Sequence, residues 1–254
     1  MPRNAPNKHE HTEVLIRLED VKKTYMLGKV TVHALRGVSL QVYRGEFVAI
    51  MGPSGSGKST LMNTLGALDV PTGGKMYFEG RDLSKFSESE LARLRGKKIG
   101  FIFQQFNLLP TLTAIENVAL PMIFQGVPEK ERLARAKKLL SELGLEKRLN
   151  HRPMEMSGGE QQRVAIARAF ANNPDVILAD EPTGNLDSKT GKQIMSFLWE
   201  LHLKENKTII VVTHDPNIAG YAETLVNIRD GEVVHNHQAS SQYLWPKGRR
   251  VEKK

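Results

Sequence analysis

The eight residues GPSGSGKS, from Gly52 to Ser59, leave a chain few ways to fold around them. They fit the pattern G-x-x-x-x-G-K-[ST] and lie between an apolar segment, EFVAIM, and a stretch with helical spacing, KSTLMNTLGALD. A glycine-rich loop between a strand and a helix lets backbone N–H groups wrap a chain of phosphates, while the helix presents the positive end of its dipole. Lys58 is then placed to pair with β- and γ-phosphates, and the Ser59 hydroxyl to ligate Mg²⁺. A strand must enter such a loop and a helix must leave it, which predicts an α/β fold.

The rest of the chain agrees. VLIRLEDV and the pair VSLQVYRGEFVAIMG read as strands, with Arg44, Gly45 and Glu46 turning between the last two. KMYFEG is a short strand, and SESELARLR is a helix started by Ser87 with Glu90 in capping-box position. KKIGFIFQ reads as a buried strand. Between Gln105 and Met156 the period becomes helical in TAIENVALPM and EKERLARAKKLLSELGL, the mark of an inserted helical subdomain. SGGEQQRVAIARAFANN is predicted as a helix ending near Pro174, followed by the strand DVILAD, the helix SKTGKQIMSFLWELHLKEN, the strand KTIIVVT and a β-rich ETLVNIRDGEVVH. Strands alternating with helices imply a mainly parallel sheet covered on both faces.

Composition narrows the function classes. The chain has 254 residues, 40% hydrophobic and 25% charged, as expected of an ordinary globular protein. With no cysteine, disulfides, thiolate metal sites and a cysteine nucleophile are excluded. No apolar run approaches the roughly 18 residues needed to span a bilayer, so nothing here is expected to cross a membrane unaided. The formal net charge of +8 suits polyphosphate, nucleic acid or an anionic surface without choosing among them. The basic tail WPKGRRVEKK reads as a solvated end, with a lipid-headgroup contact as the alternative.

VILADEP supplies the second half of a nucleotide site. Val176 to Ala179 form a buried strand ending in two carboxylates, at the strand end where parallel sheets bind ligands. Asp180 is placed to hold Mg²⁺ through its water shell, and Glu181 to polarise an attacking water.

Together with SGGEQ, which ordinary P-loop kinases and GTPases lack, these motifs resemble the nucleotide-binding subunits of ATP-binding-cassette (ABC) transporters over residues 14 to about 235. The resemblance implies a P-loop NTPase core with a mainly parallel sheet, an N-terminal antiparallel β region and an inserted α-helical subdomain. Residues 14–105 and 157–235 would form the ATP-binding core and 106–156 the helical subdomain, between a flexible N-terminus (1–13) and a basic C-terminal tail (236–254). ATP and Mg²⁺ would be held by Gly52, Ser54, Gly55, Ser56, Gly57, Lys58, Ser59 and Thr60, with Asp180 on the metal. Tyr25 matches the aromatic that stacks on adenine. Gln104 matches the glutamine that touches Mg²⁺ and the attacking water, with Gln105 as the alternative register. His214 in VVTHD matches the switch histidine, and Asp187 lies in the matching loop after Glu181. Glu181, His214 and Gln104 would be the catalytic set.

Ser157, Gly158 and Gly159 match the signature that closes over ATP held by a second cassette, which implies a homodimer and a separate integral-membrane permease. Two departures stand out: Met156 and Glu160 replace the family's commoner leucine and glutamine, and Asn185 stands where alanine is common. Glu160 suits the first turn of a helix electrostatically and is not assigned as a ligand. GFIFQQFNLLPTLTAIENVALP and ILADEPTGNLDSKTG look like the lipoprotein-releasing and macrolide-exporting branch, implying an energy-coupling role in export, extrusion or force transmission at the cytoplasmic face of the membrane. A cassette of the cell-division machinery is the runner-up. A DNA-repair cassette would place a long coiled coil between loop and signature, whereas Lys58 and Ser157 are about a hundred residues apart without heptads. No nucleic-acid partner is expected.

Overall fold

The computed structural model describes residues 13–238. The expected flexible N-terminus and basic tail lie outside these residues, save for Glu13 and the last positions of the final strand. β1 (Val14–Leu27) and β2 (Val30–Tyr43) form a long antiparallel hairpin, with Leu27 opposite Val30 and Val14 opposite Tyr43. The sequence pattern predicts only the inner part of this hairpin. Its tip, Val30 through His33, is exposed and carries no burial signal.

β3 (Phe47–Met51) enters the phosphate loop and α1 (Lys58–Leu65) leaves it. This helix is shorter than its spacing suggested: the N–H of Gly66 caps Met62 and Thr64, and Ala67 turns left-handed at φ 51°. β4 (Gly73–Phe78) and the short β5 (Arg81–Asp82) follow. α2 (Glu88–Lys98) starts at the expected Ser87–Glu90 capping box. It also takes Lys97 and Lys98 from the predicted strand, because basic residues in a last turn complement the helix dipole. β6 (Ile99–Ile102), α3 (Ala114–Ile123), α4 (Glu129–Glu142), α5 (Gly158–Phe170), β7 (Val176–Asp180), α6 (Ser188–Glu205), β8 (Thr208–Val212), the single-turn α7 (Pro216–Ala219), β9 (Thr224–Arg229) and β10 (Glu232–Gln238) complete the order.

Two sheets result. One runs β2-β1-β4-β5 and is antiparallel; the other runs β10-β9-β3-β8-β7-β6, parallel except for β10. The period-2 alternation of the central strands separates two apolar clusters. Phe47, Ala49, Ile177, Ala179, Ile209 and Val211 face a cluster shared with α3 to α6. Val48, Ile50, Val176, Leu178, Ile210 and Val212 face the one shared with α1, α2 and the antiparallel sheet. Burying each such large aliphatic side chain contributes about 1.5–3 kcal/mol, so a one-residue slip of any central strand would exchange both layers at once.

The amino ends of these strands are tied together by charge. Arg44 Nη2 meets Glu79 Oε1 at 2.7 Å and Arg44 Nη1 meets Asp175 Oδ1 at 3.4 Å, while Lys98 Nζ reaches Asp175 Oδ2 at 2.6 Å and Glu79 Oε1 at 3.1 Å. These groups sit just before β3, β6 and β7 and just after β4. The carboxyl ends are left for chemistry.

Candidate active site

Between β3 and α1 the chain doubles back in a tight loop. Gly57 adopts φ 101°, and a Cβ there would lie 2.6 Å from the carbonyl oxygen of Ala34; one on Gly52 would lie 2.2 Å from that of Ile228. Only glycine fits either position. Lys58 Nζ donates to the carbonyls of Gly52 (2.8 Å) and Pro53 (2.7 Å), drawing the loop around its own ammonium. The N-terminus of α1 has no side-chain cap and no acidic residue in its first turn, whereas α2, α3, α5 and α6 are capped by Ser87, Thr113, Ser157 and Asp187. The buried Ser56 hydroxyl has no hydrogen-bond partner among the described residues. A loop with these spare donors, a cation and a bare helix end fits a polyphosphate. Ser54, Gly55 and Ser59 are exposed on it, and Thr60 is half-buried.

At the end of β7 stand the two carboxylates. Burial pushes the Asp180 carboxyl above its usual acidity range, the charge of Glu181 adds to the rise, and Lys58 opposes it. A divalent cation would relieve both burdens, so the donor set fits Mg²⁺. Glu181 occupies a left-handed backbone conformation at φ 44°, unusual for a residue with a side chain, and its N–H closes on the carbonyl of Val212 at 2.9 Å. Its Oε1 accepts from the backbone N–H of His214 (3.1 Å) and lies 2.6 Å from His214 Nδ1. That short contact with a carboxylate places a proton on Nδ1 and leaves Nε2 facing elsewhere. Oε2 has a 3.4 Å contact with Thr213 Oγ1. Glu181 is mostly buried while His214 is 75% exposed, so the pair joins an interior carboxylate to an imidazole reachable from solvent.

Gln104 follows β6 and is exposed; a Cβ on Gly184 would approach its Nε2 to 3.1 Å and the Cβ of Glu181 to 3.5 Å. The structure therefore brings Gln104, Glu181 and His214 to one edge, beside Asp180 and Lys58. Tyr25 lies in β1, its hydroxyl donating to Asp69 Oδ2 at 2.5 Å and Lys23 Nζ 5.1 Å from its ring centroid. It also meets the Thr60 hydroxyl. The ring thus borders the phosphate loop with its hydroxyl already engaged.

The signature residues lie elsewhere. Positions corresponding to Cβ atoms of Gly158 and Gly159 face Phe106, Leu186 and Thr190, on the side of Gln104 and Asp187. Asp187 caps α6, accepting from the N–H groups of Lys189 and Thr190 (both 3.0 Å) and from Thr190 Oγ1 (2.6 Å). Those Thr190 and Lys189 bonds hold its carboxyl below the usual range.

Glu160 explains itself as a cap. Its Oε2 accepts from the N–H (2.8 Å) and hydroxyl (2.9 Å) of Ser157, and Arg148 Nε donates to Oε1 at 2.8 Å. The Ser157 N–H bond foremost, with Arg148 behind it, outweighs partial burial and draws its pKa down to about 2. A carboxylate depressed below its unfolded value of about 4.3 stabilises the fold above that pH and loses the contribution as pH falls through about 2. We expect Glu160→Ala to lower stability by about 1 kcal/mol in denaturant melts at pH 7, with the gap to wild type shrinking below about pH 4. A gap independent of pH would contradict the assignment. No sequence motif marks Arg148, which lies between α4 and α5 and ties that connection to the first turn of α5 through Glu160.

Fold and site define a P-loop nucleoside-triphosphatase, with a phosphate-binding loop and a carboxylate pair on neighbouring strand ends. The chain belongs to the ABC transporter ATP-binding family, whose profile, described as "ABC transporter", matches residues 35–184. It is an ATP-binding protein and an ATP hydrolase of that family. It is 57% identical over 219 residues to an uncharacterized ABC transporter ATP-binding protein of Thermotoga maritima, covering 86% of this chain and 93% of that protein. It is 52% identical over 222 residues to the macrolide export ATP-binding/permease protein MacB of Marinobacter nauticus, covering 87% of this chain but 34% of that longer protein. Among solved structures, the dimeric cassette MJ0796, a protein of Methanocaldococcus jannaschii, in a post-hydrolysis state bound to ADP and Pi, superposes with a TM-score of 0.84 at 49% identity, covering 89% of this chain and all of that one.

Proposed function

We propose that this chain couples ATP hydrolysis to export or extrusion by a separate membrane subunit, acting as a homodimer on the cytoplasmic face of the membrane. One observation carries the dimer. Ser157 to Gly159 form a capped helix N-terminus whose neighbours are Phe106, Leu186 and Thr190, while Lys58 closes its own loop through Gly52 and Pro53. In two copies stacked head to tail, each signature completes the other's site. The cassette MJ0796, dimeric with ADP and Pi, supports this arrangement, and MacB supports the export role. Among the described residues no helix is long and apolar enough to cross a membrane. In this proposal the membrane-spanning part is supplied by a separate subunit.

In this reading the phosphate loop from Gly52 to Thr60 holds the triphosphate and Tyr25 borders the adenine. Ser59, Asp180 and Gln104 would hold Mg²⁺, which when bound neutralises charge on the phosphate oxygens. Glu181 is the general base, its Oε1 anchored by His214 and its Oε2, 3.4 Å from Thr213 Oγ1, taking the proton of water. His214, held at Nδ1, directs Nε2 to the γ-phosphate. Asp187 fixes the start of α6 beside the partner's site. Most of the rate would come from positioning and charge stabilisation.

The test is Gly158→Asp. In a background that hydrolyses slowly, the variant should bind ATP as wild type yet elute as a monomer in sizing chromatography with ATP. Normal ATP-dependent dimerisation by this variant would overturn the head-to-tail reading.

A further inference from the structure

The segment that carries Gln104 is gripped from two sides by Asn185 and Arg168, residues to which the sequence motifs assign no role. On one side Asn185 Nδ2 donates to the carbonyl oxygen of Gln104 at 2.9 Å. On the other, Arg168, in the last turn of α5, donates through Nη2 to the carbonyl of Phe106 at 2.8 Å and through Nη1 to that of Asn107. Asn107 itself is left-handed, φ 50°, so the backbone here follows a path that local preference does not favour. Burial pulls the Arg168 guanidinium below its ordinary value; the two carbonyl bonds offset the cost of keeping a charge there. Between the two grips the Gln104 amide rests on the bare backbone of Gly184, next to Glu181.

We propose that Asn185 and Arg168 are positioning residues that set Gln104 against Glu181, and that through them the signature helix and the loop after β7 steer one shared backbone segment. Asn185 supplies the link from the loop of the catalytic carboxylate; Arg168 supplies the link from the helix that begins at Ser157. Movement of α5 is thereby passed to the backbone two residues from Gln104, with no side chain of the phosphate loop involved. The guanidinium meets the two carbonyls with separate N–H groups fixed in one plane, whereas a lysine ammonium would have to serve both from a single atom on a flexible stem, which sets their direction less tightly. The inference rests on the catalytic reading of Gln104 given above.

Steady-state ATPase kinetics of Gln104→Ala, Asn185→Ala, Arg168→Lys and the Gln104→Ala/Asn185→Ala double variant test it. Asn185 is exposed, so its truncation leaves the fold intact, and thermal melts check this for each variant. We expect Asn185→Ala and Arg168→Lys to lower kcat about five- to tenfold with KM within about twofold, as for loss of one oriented hydrogen bond. The double variant should be no slower than Gln104→Ala alone, because Asn185 acts only through Gln104. If Gln104→Ala slows turnover but Asn185→Ala does not, or if the two losses multiply, the positioning role is overturned while the reading of Gln104 stands. Wild-type kcat in Gln104→Ala would overturn that reading, and this proposal with it.

Discussion

Lys58→Ala should reduce ATP affinity by at least about a hundredfold and bring hydrolysis to background. Two effects combine. The ammonium is the cation of the loop, and a charge-assisted hydrogen bond to phosphate is worth about 1.5–3 kcal/mol, or roughly one to two decades of binding each. Lys58 also spans the loop through the carbonyls of Gly52 and Pro53, so alanine removes the strut that holds the cradle's curve. Titration with a fluorescent ATP analogue reads the first effect, and circular dichroism confirms that the fold survives. Unchanged affinity would refute the assignment of the loop.

Glu181→Gln should bind ATP normally, lower kcat by about 10²–10⁴ and accumulate as an ATP-bound dimer. Glutamine is nearly isosteric and its carbonyl can still accept the 3.1 Å bond from the His214 N–H. It cannot take a proton from water. A second consequence follows from the electrostatics: the charge of Glu181 is one cause of the raised Asp180 carboxyl, so the neutral variant lets Asp180 ionise more readily. Metal-dependent binding should therefore hold or strengthen as chemistry fails. A variant that stayed monomeric with ATP and turned over at the wild-type rate would sink the role of Glu181.

Much of this site can be read from the chain, because its parts are local. A strand, a glycine loop and a helix occupy adjacent residues, and so do an apolar strand and its terminal carboxylates; each motif carries its own geometry. The Ser87–Glu90 capping box is legible for the same reason. Contacts between distant segments are not. Asn185 and Gln104 are 81 positions apart, and Arg168 and Asn107 are 61 apart, with nothing in either residue type to name its partner. The outer part of the β1–β2 hairpin was illegible because it is held by backbone pairing and leaves Val30 and Val32 in solvent. Glu160 presented a charge near a signature and little more; only the fold supplies Arg148 and shows that the carboxylate is spent on its own helix.

The strand order carries one more implication. Reading across the carboxyl edge from β3 through β8 and β7 to β6, the chain delivers the phosphate loop, then His214, then Asp180 and Glu181, then Gln104. Neighbouring strands in any sheet lie about 4.8 Å apart, so the spacing between these groups is ruled by backbone hydrogen bonds. The long stretches that separate the motifs along the chain have no say in it. Loops and helices between strands can lengthen, shorten or take on new partners, and the catalytic ruler keeps its gradations.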